Sequence, residues 1–180
     1  LRRLSAAVQA AGYSVEEHLC PLVPGRLLHL TIPALATLVT NFAPDPNQAV
    51  AGAVVVSSRR TDLNSLKDLK HLSAMSGLES MFFNWQMPAS ALLDRGLDPY
   101  RFFSSLRQVD QPVPKILQAL EDGTIDVGLM RACVLEGLPI ERRKHFKVIE
   151  PAEDSPLACA HTSRLFPNWK VGAMSEGTSD

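Results

Sequence analysis

The sequence predicts an α/β fold with a mostly parallel sheet. Two observations carry that reading. Short β-rich runs such as VAGAVVVSS (50–58) and TIDVGLM (124–130) alternate with segments of helical spacing. The helical segments are opened by Pro, Ser or Thr and closed by Gly. At 180 residues the chain is long enough to bury a substantial core, in one domain or two small lobes. Hydrophobic residues at 46% against 21% charged place it among globular chains and not disordered ones.

Taken in order, Leu1, Leu4 and Val8 fall at helical spacing, so the chain is expected to start inside a helix, as a piece of something longer would. YSVEEHLCPL (13–22) alternates loosely and reads as a short strand. LATLVTN (35–41) and VAGAVVVSS (50–58) are β-rich, separated by the turn-forming APDPNQ. TDLNSLKDLK (61–70) starts at a capping Thr/Asp and puts Leu63, Leu66 and Leu69 on one face of a short helix. HLSAMSG is a short strand or loop. A helix follows over about 80–95, kinked or broken at Pro88 and ended by Gly96. FFSSLRQVD (102–110) holds a strand. PVPKILQALEDG (112–123) is a helix with Ile116, Leu117 and Leu120 inward. TIDVGLM is a strand, RACVLEGL a short helix and FKVIEP (146–151) a further strand.

The formal net charge of −1 gives no global field towards nucleic acid or an anionic membrane, so nucleic-acid binding is not expected. No apolar run is long enough to span a bilayer, and LRRLSAAVQAAG is too broken to carry the apolar core of a signal peptide. The cysteines, Cys20, Cys133 and Cys159, are odd in number and lack zinc-site spacing, so no structural metal and no cofactor are expected.

In sheets of this kind ligands sit at the carboxyl ends of strands, against helix N-termini. That rule points to Ser76–Gln86, Gln108–Val113 and Leu129–Cys133. Within this frame SLKDLK (65–70), LLDRGLDPYRFF (92–103), ILQALEDGTIDVGLMRACVLE (116–136) and FKVIEP resemble the phosphate/phosphonate-type periplasmic binding-protein family, over about residues 50–170. A narrower resemblance joins MRACVLE and PLACAHTSRLFPNW to the sensory domain of tetrathionate-sensor histidine kinases. The resemblance implies a two-lobed, type II clamshell that closes on a small anion. Lobe 1 would comprise 1–58 plus 152–180 and be incomplete; lobe 2 would comprise 59–151, with crossover strands near Val54–Arg59 and Pro151–Cys159. Against the family pattern, the first strand expected before Leu1 and the VDF…TNP segment expected between Pro24 and Ile32 are either lost or belong to the full protein outside this sequence. The His-Asp ahead of the 112–121 helix is replaced by Pro112–Val113–Pro114.

A dianion needs backbone N–H groups and a cation to replace its hydration shell. Arg131, at the start of a short helix after a strand, is the candidate cation; the alternative is a surface Arg paired with Glu136 or Asp126. Ser76, Gly77 and Ser80 are candidate donors, or simple helix caps. Trp85 and Gln86 line the pocket or belong to the core. Cys133 and Cys159 leave three readings open: a disulfide between middle lobe and return strand, inert buried thiols, or a thiolate that attacks a polythionate sulfur, eased by Arg131 or His161. Cys20 reads as packing, and LFPNW as an apolar patch with Trp169 packed. Cys159 beside His161 lacks an orienting Asn/Asp and an oxyanion loop, so no catalytic residues are assigned.

These readings lead to a periplasmic sensor domain of an inner-membrane histidine kinase. It binds tetrathionate or another oxyanion and signals by lobe closure to the membrane-anchored kinase portion of the same protein, with room for a homodimer. The alternative is a free solute-binding protein of an ABC transporter for phosphonate or a related oxyanion. A third option is the effector domain of a transcription regulator.

Overall fold

The computed structural model describes residues 34–37, 42–168 and 170–172. The expected helix over 1–12, the strand over 13–22, Cys20 and Trp169 lie outside these residues. Val39–Pro167 form one compact unit. The chain ends, Leu1–Leu38 and Asn168–Asp180, are grouped in a second. Its described part is an antiparallel pair, β1 (Ala34–Thr37) and β7 (Lys170–Gly172), with Thr37 opposite Lys170.

The larger unit is built on five strands: β2 (Gly52–Ser57), β3 (Ser73–Gly77), β4 (Ser105–Val109), β5 (Val127–Arg131) and β6 (Phe146–Val148), in the order β4-β3-β5-β2-β6. Helices α1 (Met87–Leu93), α2 (Pro99–Phe102), α3 (Pro112–Glu121) and α4 (Ile140–Arg143) connect them. The sheet is mixed rather than mostly parallel. β3 runs parallel to β4 and β5, whereas β2 is antiparallel to β5 and β6. The physical reason is connection type. Helical crossovers join β3 to β4 and β4 to β5, and such crossovers return the chain in the same direction. The link from β2 to β3 carries only a 3-10 turn, Leu66–Leu69.

β2 is the spine of the sheet. Val54, Val55 and Val56 are fully buried, and strand periodicity sends them to opposite faces. Val54 and Val56 join Leu129, Trp85, Ala89, Leu92 and the Leu63–Leu66–Leu69 stripe. Ala53 and Val55 join Met75, Met130 and the inward face of α3, with Ile116, Leu117 and Leu120. The result is three layers, helix on sheet on helix. Because β2 lies inside this sheet, residues 39–58 and 152–167 belong with 59–151. The compact units divide at 38/39 and 167/168, whereas the lobes that the resemblance implies divide at 58/59 and 151/152. Pro151–Cys159 forms no strand.

The expected helix over 80–95 is divided. A π-helix, Phe82–Gln86, runs into α1, and Pro88 falls in the first turn of α1, just after the change from π to α geometry. Gly96 follows with φ +73°. The capping expected at Thr61/Asp62 is made further on: the Asp68 carboxylate accepts the N–H groups of Asn64 and Ser65 at 2.9 and 2.8 Å. RACVLEGL is mostly irregular, with one 3-10 turn at Leu135–Gly137.

Candidate functional site

β3, β4 and β5 are parallel, so their carboxyl ends share one edge of the sheet. Arg131 is the last residue of β5, not the first of a helix as expected from sequence. Its backbone N–H donates to Asn84 Oδ1 at 3.3 Å, tying the end of β5 to the π-helix that follows β3. A cavity of about 300 Å³ opens here, lined by Phe42, Ala49, Val50, Phe83, Arg131 and Cys133 among others. That size lies at the small end of the range for small-molecule sites.

Arg131 is exposed, and among the described residues its guanidinium has no hydrogen-bond or ion-pair partner. The alternative pairings are taken by other groups. Asp126 is bound by Arg60 at 2.7 Å, and Glu136 lies 3.8 Å from Arg143 while accepting the Ala160 N–H at 3.1 Å. Arg131 is therefore a cation in the cavity lining without a neutralising carboxylate among the described residues.

Cys133 and Cys159 form a disulfide, with Cα atoms 5.1 Å apart. This settles the readings left open for that pair: no free thiolate exists in this state. Cys133 has φ +65° and presents its residue to the cavity, whereas Cys159 is buried in a small cluster with Ala43, Ala49 and Leu157.

His161 is buried and fully engaged. Its Nδ1 lies 2.7 Å from the Ser163 carbonyl oxygen, and its Nε2 lies 2.6 Å from Ser155 Oγ. A carbonyl only accepts, so Nδ1 carries a proton. The next two residues serve β2: Thr162 Oγ1 accepts the Val54 N–H at 3.1 Å and donates to the Ile149 carbonyl at 2.8 Å. Ser163 Oγ accepts the Gly52 N–H at 2.8 Å. The CAHTS stretch thus completes hydrogen bonding beside β2, and both Cys159 and His161, expected as ligand contacts, are buried there.

The remaining candidates divide likewise. Ser76 is buried and donates to the Gly77 carbonyl at 2.9 Å, so its hydroxyl is not presented to an anion. Gly77 packs against the π-helix, where an added Cβ would lie 2.9 Å from the Asn84 Cβ. Ser80 is exposed and outside the cavity lining. Trp85 belongs to the core, its ring 5.4 Å from that of Tyr100. Gln86 donates to the Glu79 carbonyl at 3.2 Å. Of the three strand ends, the first and third meet at the cavity. The second, with Val109, lines instead an open groove of about 520 Å³ along α3, whose Lys115 is paired with Asp110. Sequence reasoning missed Phe42, Phe83 and Asn84. The Phe82–Phe83 doublet was visible, but helical spacing alone does not say which ring faces the core.

A mixed α/β unit with a small cationic cavity at the carboxyl edge of its parallel strands has the architecture of a solute-binding domain. The chain matches, over residues 32–179, the model of the family described as ABC transporter, phosphonate, periplasmic substrate-binding protein, and it belongs to that family. This is a family of periplasmic binding proteins rather than enzymes. A comparison with curated proteins finds no match. Among solved structures, a Xanthomonas citri protein bound to ATP is similar, at 16% identity and a TM-score of 0.54, over 72% of this chain and 47% of that one. PhnD1 from Prochlorococcus marinus in complex with methylphosphonate is similar at 20% identity and a TM-score of 0.49, over 60% and 43%. A binding-protein component of an ABC phosphonate transporter from Pseudomonas aeruginosa is similar at 18% identity and a TM-score of 0.47, over 66% and 40%. The matched part of each is under half of its length. The likeness at 0.54 supports the type II binding-protein fold. The family match favours the transporter alternative over the sensor-kinase reading.

Proposed function

We propose that this chain is the solute-binding domain of a periplasmic ABC importer and that it holds a small oxyanion in the cavity at the end of β5. The observation that carries this reading is the Arg131 guanidinium, without a partner among the described residues, at a cavity on the carboxyl edge of parallel strands. A guanidinium fork binds two oxygens of one anion, and with no carboxylate paired to it among the described residues the anion is its natural counter-charge. The family match supports the substrate class at its coarsest level, an anion of the phosphonate type.

The test is calorimetric titration of the full chain with methylphosphonate, inorganic phosphate, sulfate and tetrathionate, repeated with Arg131→Gln. At least one anion is expected to bind saturably. Arg131→Gln is expected to weaken it by about 1.5–3 kcal/mol, the usual worth of a charge-assisted hydrogen bond. Binding that is indifferent to Arg131→Gln would remove the cavity from the proposal.

A further inference from the structure

Resting on that reading, we infer that Asn84 selects a tetrahedral oxyanion over a planar carboxylate. Its side-chain amide donates to the third oxygen of a solute whose other two oxygens lie on the Arg131 fork. Asn84 joins two parts of the cavity lining. It follows Phe83, which lines the cavity with Arg131, and its Oδ1 accepts the Arg131 backbone N–H at 3.3 Å. A backbone N–H only donates, so the atom that faces it is the amide oxygen, and Nδ2 occupies the other branch. Asn84 is half-buried, and its NH2 group has no hydrogen-bond partner among the described residues. The Arg131 guanidinium has none either. A free amide and a free guanidinium are thus tied to each other at one strand end.

The amide is held from two sides. Gly77 ends β3 and Arg131 ends β5, the neighbouring parallel strand. A Cβ at Gly77 would lie 2.9 Å from the Asn84 Cβ and 2.8 Å from Met81 Sδ, so the helix rests on bare backbone there. The same helix carries a wide turn, in which the Gln86 N–H donates at 3.2 Å to the carbonyl of Met81, five residues back. Turns of this kind are uncommon and recur at functional sites. A guanidinium is flat, and its parallel N–H bonds meet two oxygens in its own plane. A carboxylate has no other oxygen to satisfy. A sulfonate or phosphonate carries a third one out of that plane, which loses its water on binding and needs a donor from another direction. Nδ2 of Asn84, anchored on the backbone of Arg131 itself, is such a donor.

The experiment is calorimetry of the full chain with methanesulfonate, methylphosphonate and acetate, with acetate read by its competition against methanesulfonate. Methanesulfonate and acetate each carry one charge and one methyl group, and they differ in the third oxygen. The wild type is expected to prefer methanesulfonate by about tenfold or more, the worth of one hydrogen bond to a charged group. Asn84→Ala, which suits a helix, is expected to weaken methanesulfonate and methylphosphonate about tenfold and acetate less than about twofold. Asn84→Asp keeps an acceptor for the Arg131 N–H and lacks the amide donors, so it is expected to weaken methanesulfonate at least as far as Asn84→Ala. Equal weakening of methanesulfonate and acetate by Asn84→Ala would make Asn84 a prop for the strand end. Unchanged methanesulfonate binding in either variant would remove it from the site. Each of these overturns the inference and leaves the oxyanion-binding reading standing. If no probe binds the wild type, or if Arg131→Gln changes nothing, both fall together.

Discussion

Asp126 shows how single residues hold the edge of the sheet opposite the cavity. Its Oδ2 accepts the Ser73 hydroxyl and N–H at 2.7 and 3.1 Å, its Oδ1 accepts from Arg60 at 2.7 Å, and its own N–H donates to Ser73 Oγ at 3.0 Å. Burial works against the ionised carboxyl, but the Ser73 hydroxyl and N–H, and then Arg60, outweigh it and hold the pKa below the usual carboxylate range. A carboxyl depressed in the folded state contributes stability that is present above its unfolded pKa and is lost as pH falls through the folded one. Asp126→Asn is therefore expected to cost about 1–2 kcal/mol at neutral pH, at the lower end for charged hydrogen bonds because the pair is partly exposed. The deficit should shrink as the pH is lowered below about 4. Urea denaturation of both proteins across that range measures it, and a deficit that does not change with pH would rule out the charge as its origin.

At the scale of elements, β2 depends on its first residue. A Cβ at Gly52 would lie 2.2 Å from the Pro88 nitrogen and 2.5 Å from the Met87 carbonyl carbon, so α1 starts against bare backbone. Gly52 also accepts the Thr162 and Ser163 N–H groups at 2.9 and 3.0 Å. Gly52→Ala must push α1 off the sheet, and overpacking of this kind costs about 1–3 kcal/mol or more. Thermal unfolding should show a clear loss, with a milder effect from the same change at Gly137, where an added Cβ meets no neighbour. The contrast explains what the sequence could reveal. Val54–Val56, the α3 stripe and the Leu63–Leu66–Leu69 stripe were legible because burial repeats with the period of the element. Strand direction at β2 was not, since alternation of strand and helix is silent about a link that carries no crossover helix. The placement of Arg131 at the carboxyl end of a strand was legible from the apolar run that precedes it. The burial of Ser76, Trp85 and His161 was not legible, because a hydroxyl, a ring or an imidazole near a strand end looks the same in sequence whether it faces ligand or core.

For the larger unit as a whole, the long-range constraint is the bond between Cys133 and Cys159, 26 residues apart in the chain. It joins the segment after β5 to the irregular stretch that follows β6, and between them Glu136 adds its contact to the Ala160 N–H. Spacing cannot pair three cysteines, which is why the sequence left this link open. Closing a loop of this length removes conformations from the unfolded chain, and the expected stabilisation is about 3 kcal/mol. Because Cys133 also lines the cavity, reduction should act on binding as well as on folding. Alkylation in denaturant without reductant should leave Cys133 and Cys159 unlabelled, and prior reduction should label both, as read by peptide mass. The reduced protein and the Cys133→Ser/Cys159→Ser variant should then show the same loss in urea denaturation, together with weaker anion binding. Equal stability with and without the bond would mean that the packing of Cys159 against Ala43, Ala49 and Leu157 already holds the two segments in place.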